Sequence, residues 1–113
     1  IKKAHIFAYP NIWPETSCIA AMEAMSAGVC IVCPNHAALP ETTANFALMY
    51  QMQEDQNVHA NTFASILDQV ITTYWNSHMQ QRLQLSKIYA DSFYSWDVRK
   101  FEWKNLLTSL ANT

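Results

Sequence analysis

The chain has 113 residues, half of them apolar and only 14% charged, with a formal net charge of −2. That length makes one domain, and the charge content lies well below the usual value of about 25%. The seven basic residues are scattered, so no basic stripe awaits a nucleic-acid backbone; no apolar run approaches the ~20 residues that span a bilayer, and no leader pattern is visible.

In chain order, His5–Tyr9 (HIFAY) reads as a short buried strand closed by Pro10. Asn11–Pro14 is a loop. Thr16 or Ser17 is placed to cap a helix running to about Ala27, with Glu23 as its only charge. Gly28, the only glycine of the chain, stands where a left-handed helix terminus is wanted. Val29–Cys33 (VCIVC) is a second continuous apolar strand, closed by Pro34. Strand, helix, strand without polar alternation is the pattern of a parallel sheet buried on both faces.

Asn35–Thr42 reads as a loop, Asn45–Tyr50 as a third strand and Gln51–Asn57 as a polar loop. Phe63, Ile66, Leu67, Val70, Ile71 and Tyr74 mark one face of an amphipathic helix. Gln80–Phe93 and Asp97–Leu110 are two further helices, the last with Trp103, Leu106, Leu107 and Leu110 on one side. The chain begins with Ile1 rather than Met, and a core strand follows almost at once. Three strands are few for a doubly wound sheet, so the expectation is a single partial domain over residues 1–113, truncated at its N-terminus.

The stretch YPNIWPETSCIAAMEAMSAG carries two carboxylates, Glu15 and Glu23. A rise of ~1.5 Å per residue separates them by about 12 Å along a helix axis, too far to share a proton. Between them lies a helix N-terminus, whose free N–H groups and dipole attract phosphate. Two carboxylates that accept from hydroxyls, flanking a phosphate seat, suit an elongated ligand with sugar, phosphates and ribose in that order. The plainer reading is a carboxylate near a helix start for dipole reasons and a solvated Glu23.

Cys30-Ile31-Val32-Cys33 is formally C-x-x-C, but in a strand its cysteines face opposite sides. The three cysteines are read as reduced and buried, and no metal site is expected. Of four histidines, His36 is singled out, because it follows a strand at the end of the sheet where α/β ligands bind. His5, His59 and His78 are read as surface or boundary residues. Trp13, beside Pro14 and Glu15, is a candidate to line the cleft.

PETSCIAAMEAMSAGVCIVCP resembles the C-terminal half of GT-B fold glycosyltransferases, above all the retaining family 4. Glu15, Glu23, Ala24, Met25, Ala27, Gly28, the strand Val29–Val32 and Leu39-Pro40-Glu41 follow the family's order, and Phe93-Tyr94-Ser95-Trp96-Asp97 is similar to a segment near its C-terminus. The resemblance implies a Rossmann-like parallel sheet with flanking helices and a nucleoside-diphosphate-sugar donor as substrate, without a further cofactor. It implies that Glu15 contacts donor-sugar hydroxyls as the catalytic-site glutamate and that Glu23 holds the ribose. Thr16, Ser17, Cys18, Ile19 and Ala20 would form the turn that meets sugar and diphosphate. Where the family often has Gly-Gly, this chain has Ala37-Ala38, which narrows that loop. The family's cationic diphosphate clamp and its acceptor domain lie upstream of the matching segment. The isolated chain is therefore expected to be inactive, as the donor side of a longer cytoplasmic or membrane-peripheral transferase. The alternative is a non-catalytic α/β interaction module, dimeric or docked on a partner through its low-charge surface.

Overall fold

The computed structural model describes all residues from Ile1 to Thr113. Strand β1 (Ile6–Ala8) is followed by helix α1 (Ile19–Ser26), strand β2 (Cys30–Asn35), a one-turn helix α2 (Leu39–Thr42) and strand β3 (Leu48–Gln51). Three helices complete the chain: α3 (Gln56–Thr73), α4 (Ser77–Phe93) and α5 (Trp96–Ala111). The strands form one parallel sheet in the order β1-β2-β3, with Ile6 opposite Cys30 and Val32 opposite Leu48. This is the α/β, Rossmann-like arrangement that the apolar strand–helix–strand pattern leads one to expect.

The sheet has a core on each face. Cys33 and Ile31 pack with Ala21, Ala24 and Met25 of α1 and with Ala90 of α4. Cys30 and Val32 pack with Val70 of α3 and Leu83 of α4. Cys30 and Cys33 therefore serve opposite faces, as strand alternation requires. Helix α4 starts against the α3 side through Met79 and Leu83 and ends against α1 through Tyr89 and Ala90.

Several boundaries differ from the sequence reading, each for an identifiable reason. Strand β2 runs through Pro34 to Asn35 instead of stopping before the proline. Cys30 N–H donates to His5 O and Tyr9 N–H donates to Val32 O, so even-numbered residues of β2 turn their backbone groups toward β1. Strand β1 ends at Ala8. Pro34 thus directs its missing N–H to a side with no strand, while Tyr50 of β3 still pairs with it on the other. Residues 39–42, read as loop, close a helical turn in which Thr43 Oγ1 donates to Leu39 O at 2.8 Å. Helix α3 starts at Gln56, inside the expected loop, because Asp55 accepts from the amides of Asn57 and Val58. Its first turn covers β3, and this buries His59, which is 5% exposed rather than at the surface. The histidine ring meets the Tyr50 hydroxyl at 2.7 Å, so neither buried polar group is left without a partner.

Helix α1 ends as expected. Val29 N–H donates to Ala24 O and Gly28 N–H to Met25 O, with Gly28 at φ 73°. These two bonds are the Schellman termination, which requires the left-handed conformation that glycine adopts without strain.

Helix α5 is capped by Ser95, whose hydroxyl accepts from Val98 N–H, but it has no buried residue. The face expected to pack, from Trp103 to Leu110, lies exposed. The Cα radius of gyration is 16.5 Å, against about 13 Å for a compact chain of this length. No helix is long and apolar enough to cross a membrane.

Candidate functional site

The loops after β1 and β2 meet at the carboxyl ends of the strands, where parallel α/β sheets bind ligands. Glu15 is the junction. Its carbonyl accepts from Ala38 N–H at 3.0 Å, which ties the first loop to the second. Its Oε1 accepts from the Tyr9 hydroxyl at 2.6 Å. Tyr9 in turn stacks on Phe7, with ring centroids 5.0 Å apart and an interplanar angle of 17°. The hydrogen bond to Glu15 is the main reason that the Tyr9 phenol is held well above its ordinary pKa, with burial adding to it. A phenol that donates to a carboxylate loses that bond on ionising.

Thr16 and Ser17 were the expected caps of α1, yet both are exposed and neither caps it. The N-cap is Cys18, in extended conformation at φ −126°, with no side-chain hydrogen bond. Its thiol is buried in the α1-side core, so it is not available to the helix end. The amides of Ser17, Cys18, Ile19 and Ala20 donate to no group in the chain; the first amides of this turn to do so are those of Ala21 and Met22, both to Cys18 O. A helix start with four open N–H groups and no anionic cap suits an anion.

Glu23 is exposed on α1. It lines a groove of about 540 Å³ between α1, the end of α4 and the start of α5, with Ile19, Met22, Asp91, Trp96 and Arg99 among its walls. Glu15 does not line this groove. The two carboxylates thus occupy separate places, one at the helix start and one down its side. Asp91 is itself engaged. It accepts from Lys87 at 2.6 Å and from the Ser26 hydroxyl, and these bonds hold its carboxyl below the usual range.

Trp13 is 71% exposed; Asn11 brackets it, donating to its carbonyl and accepting from its amide. His36 is half-buried after β2, and its carbonyl accepts from Leu39 N–H. The neighbouring Ala37 sits at φ 50°, a left-handed conformation that costs an alanine about 1 kcal/mol. The Ala-Ala pair is therefore strained at its first member, and its second member supplies the amide that holds Glu15. The sequence reading noted Ala38 only as part of the narrowed Ala37-Ala38 loop and did not single out Tyr9, Asp91 or Arg99. Tyr9 carried one signal, its place immediately before Pro10 at the carboxyl end of a strand. The others are brought in from distant elements and carried none.

No three His, Cys, Asp or Glu side chains come together as metal ligands. All three cysteines are free and buried. Burial pushes the Cys30 thiol up to about 11 and the Cys33 thiol up to about 12, from a reference of 9.0. Since the thiolate is the reactive form, a disulfide reagent at pH 8 should label Cys30 about a hundredfold and Cys33 about a thousandfold more slowly than an exposed cysteine. Labelling of either at the unfolded-chain rate would contradict this. The sign also fixes a pH trend. These thiols favour the fold fully below pH 9 and cease to as the unfolded chain ionises above it, through the folded values near 11 and 12.

A family model described as "Glycosyl transferases group 1" matches residues 1–84. That span holds the sheet, α1 to α3, and both glutamates. Neither the curated proteins nor the solved structures contain a significant match.

Proposed function

The chain belongs to the group 1 glycosyltransferases, and from that premise we propose that it forms the donor side of a transferase acting on nucleoside-diphosphate sugars. Glu15 orients the donor sugar, the amides from Ser17 to Ala20 receive the diphosphate, and Glu23 fixes the ribose. Thr16, exposed beside Glu15, lies along the same turn. The observation that carries this reading is the open helix start: four amides without an acceptor, between two carboxylates. The transfer moves the sugar to an acceptor held by another domain, with retention as the resemblance to GT-B family 4 implies. The setting is the cytoplasm or the membrane surface.

Charge sets the limit of the isolated chain. A helix end supplies roughly half a positive charge, less than a diphosphate carries. Three of the seven cations are engaged elsewhere. Arg82 is bound to the carbonyls of Asn45 and Phe46, and Lys87 to Ser26 and Asp91. Arg99 pairs with Glu102 at 3.0 Å. On this reading, cations from outside the chain neutralise the diphosphate.

Amide chemical-shift titration of the chain with UDP-glucose and GDP-mannose tests this. Shifts are expected at Ser17–Ala20 and around Glu23, with dissociation constants in the millimolar range. Glu23→Ala should weaken nucleotide and nucleotide-sugar alike by about tenfold or more, the loss of charge-assisted bonds to two ribose hydroxyls. Micromolar binding to the wild-type chain would remove the need for outside cations, and no shift at these amides with either donor would overturn the donor site.

A further inference from the structure

We infer that Tyr9 is the positioning residue of Glu15, setting which carboxylate oxygen is offered to the donor sugar; the inference rests on the donor-site reading given above. The geometry is a chain of three contacts. Phe7 of β1 and Tyr9, just beyond its end, both pack against the α1-side core. Their rings are stacked, and the Tyr9 hydroxyl donates to Glu15 Oε1 at 2.6 Å. The Glu15 backbone is held independently, by Ala38 N–H on its carbonyl. Glu15 is thus fixed at both ends, its backbone by the loop after β2 and its side chain by the end of β1.

That double hold has a chemical consequence. An ionised carboxylate offers about four acceptor positions on two oxygens. Tyr9 takes one on Oε1, so Oε2 remains to accept from a sugar hydroxyl. A glutamate with no such partner loses side-chain rotamer freedom worth about 1.5–2 kcal/mol when it is immobilised on a ligand. Here the protein immobilises it beforehand, so less is lost on binding. The tyrosine also draws negative charge from a carboxylate that must lie near a diphosphate. Tyr9 need not touch the donor for either effect, which separates it from Glu15.

The test compares Tyr9→Phe, Glu15→Gln and the double variant with the wild-type chain, titrated with UDP-glucose, UDP, GDP-mannose and GDP. Tyr9→Phe keeps the ring and its stack on Phe7, and thermal unfolding checks that the fold is unchanged. The readout is the ratio of nucleotide to nucleotide-sugar affinity, which a merely structural role would leave alone. Tyr9→Phe is expected to reduce the sugar-dependent gain about fivefold, with nucleotide binding unaltered. The double variant should be no weaker than Glu15→Gln, since the hydroxyl acts only through the carboxylate. If Glu15→Gln loses the gain while Tyr9→Phe retains it, the inference is wrong and the donor-site reading stands. If Tyr9→Phe weakens nucleotide and nucleotide-sugar equally, its role is structural and the inference is also wrong. If Glu15→Gln changes nothing, the role of Glu15 itself fails, and the inference falls with it.

Discussion

Leu39→Ala should cost the fold about 3–4 kcal/mol and lower the unfolding midpoint by about 15 °C or more. Leu39 is fully buried, at 0% exposure, in the α1-side core with Cys18, Cys33 and Met25. Removing its branched end leaves a cavity that the surrounding helices can fill only in part. The position also governs the site. Its amide closes the turn on His36 O, its carbonyl accepts from the Thr43 amide and hydroxyl, and the preceding Ala38 holds Glu15. A looser Leu39 therefore frees the backbone of Glu15 as well as the core. Leu39→Met, which conserves volume, should cost less than about 1.5 kcal/mol. Thermal and urea unfolding measure both, and a loss below about 1 kcal/mol for the alanine variant would contradict the packing described here.

Arg82→Leu is the second large effect, about 3 kcal/mol. From α4 the guanidinium reaches back to the turn before β3. Nε donates to Phe46 O at 2.7 Å, and Nη2 donates to Asn45 O at 2.7 Å and to Ala47 O at 3.3 Å. Three consecutive carbonyls are thereby satisfied by one side chain. The segment they belong to is strained, with Ala44 at φ 48° and Asn45 at φ 60°. Each charge-assisted bond contributes about 1.5–3 kcal/mol when counted alone, and bonds from one side chain are not additive. Leucine would leave the partly buried carbonyls of Phe46 and Ala47 without that donor. Arg82→Lys should recover only part of the loss, because a single ammonium cannot reproduce the planar fork. Urea denaturation distinguishes the three proteins; equal midpoints for arginine and lysine would show that charge alone, rather than geometry, matters here.

Neither residue advertises itself in the sequence to the same degree. Leu39 stands in the Leu-Pro-Glu stretch, although its helical turn was not foreseen. Arg82 looks like one more polar residue on an amphipathic helix, and its partners lie 35 to 37 positions away. The same divide runs through the candidate site. Glu15 and Glu23 were legible, because two lone carboxylates stand out in an apolar run around a helix start. The open amides were legible as a principle, but not where they begin. The side chain of Cys18 was claimed by the core, which moved the helix start to Ile19 and left Thr16 and Ser17 without the capping role.

What the sequence determined by itself is whatever depends on neighbours a few residues apart. Continuous apolar runs made the parallel strands, 3.6-residue periodicity made α3, and one glycine ended α1. Strand alternation sent Cys30 and Cys33 to opposite faces. What only the tertiary structure decided is whatever depends on a partner far along the chain. The end of β1 left room for Pro34 inside β2, the cover of α3 buried His59, and the sheet brought Ala38 to the backbone of Glu15. Side-chain direction set the grip of Tyr9 on Glu15. The apolar side of α5 marks the limit most clearly. Its pattern is that of a packed helix, yet Trp96 is 87% exposed and no residue of α5 is buried. A periodic apolar face states that burial is favourable; only the arrangement of the other elements states whether a surface is there to receive it.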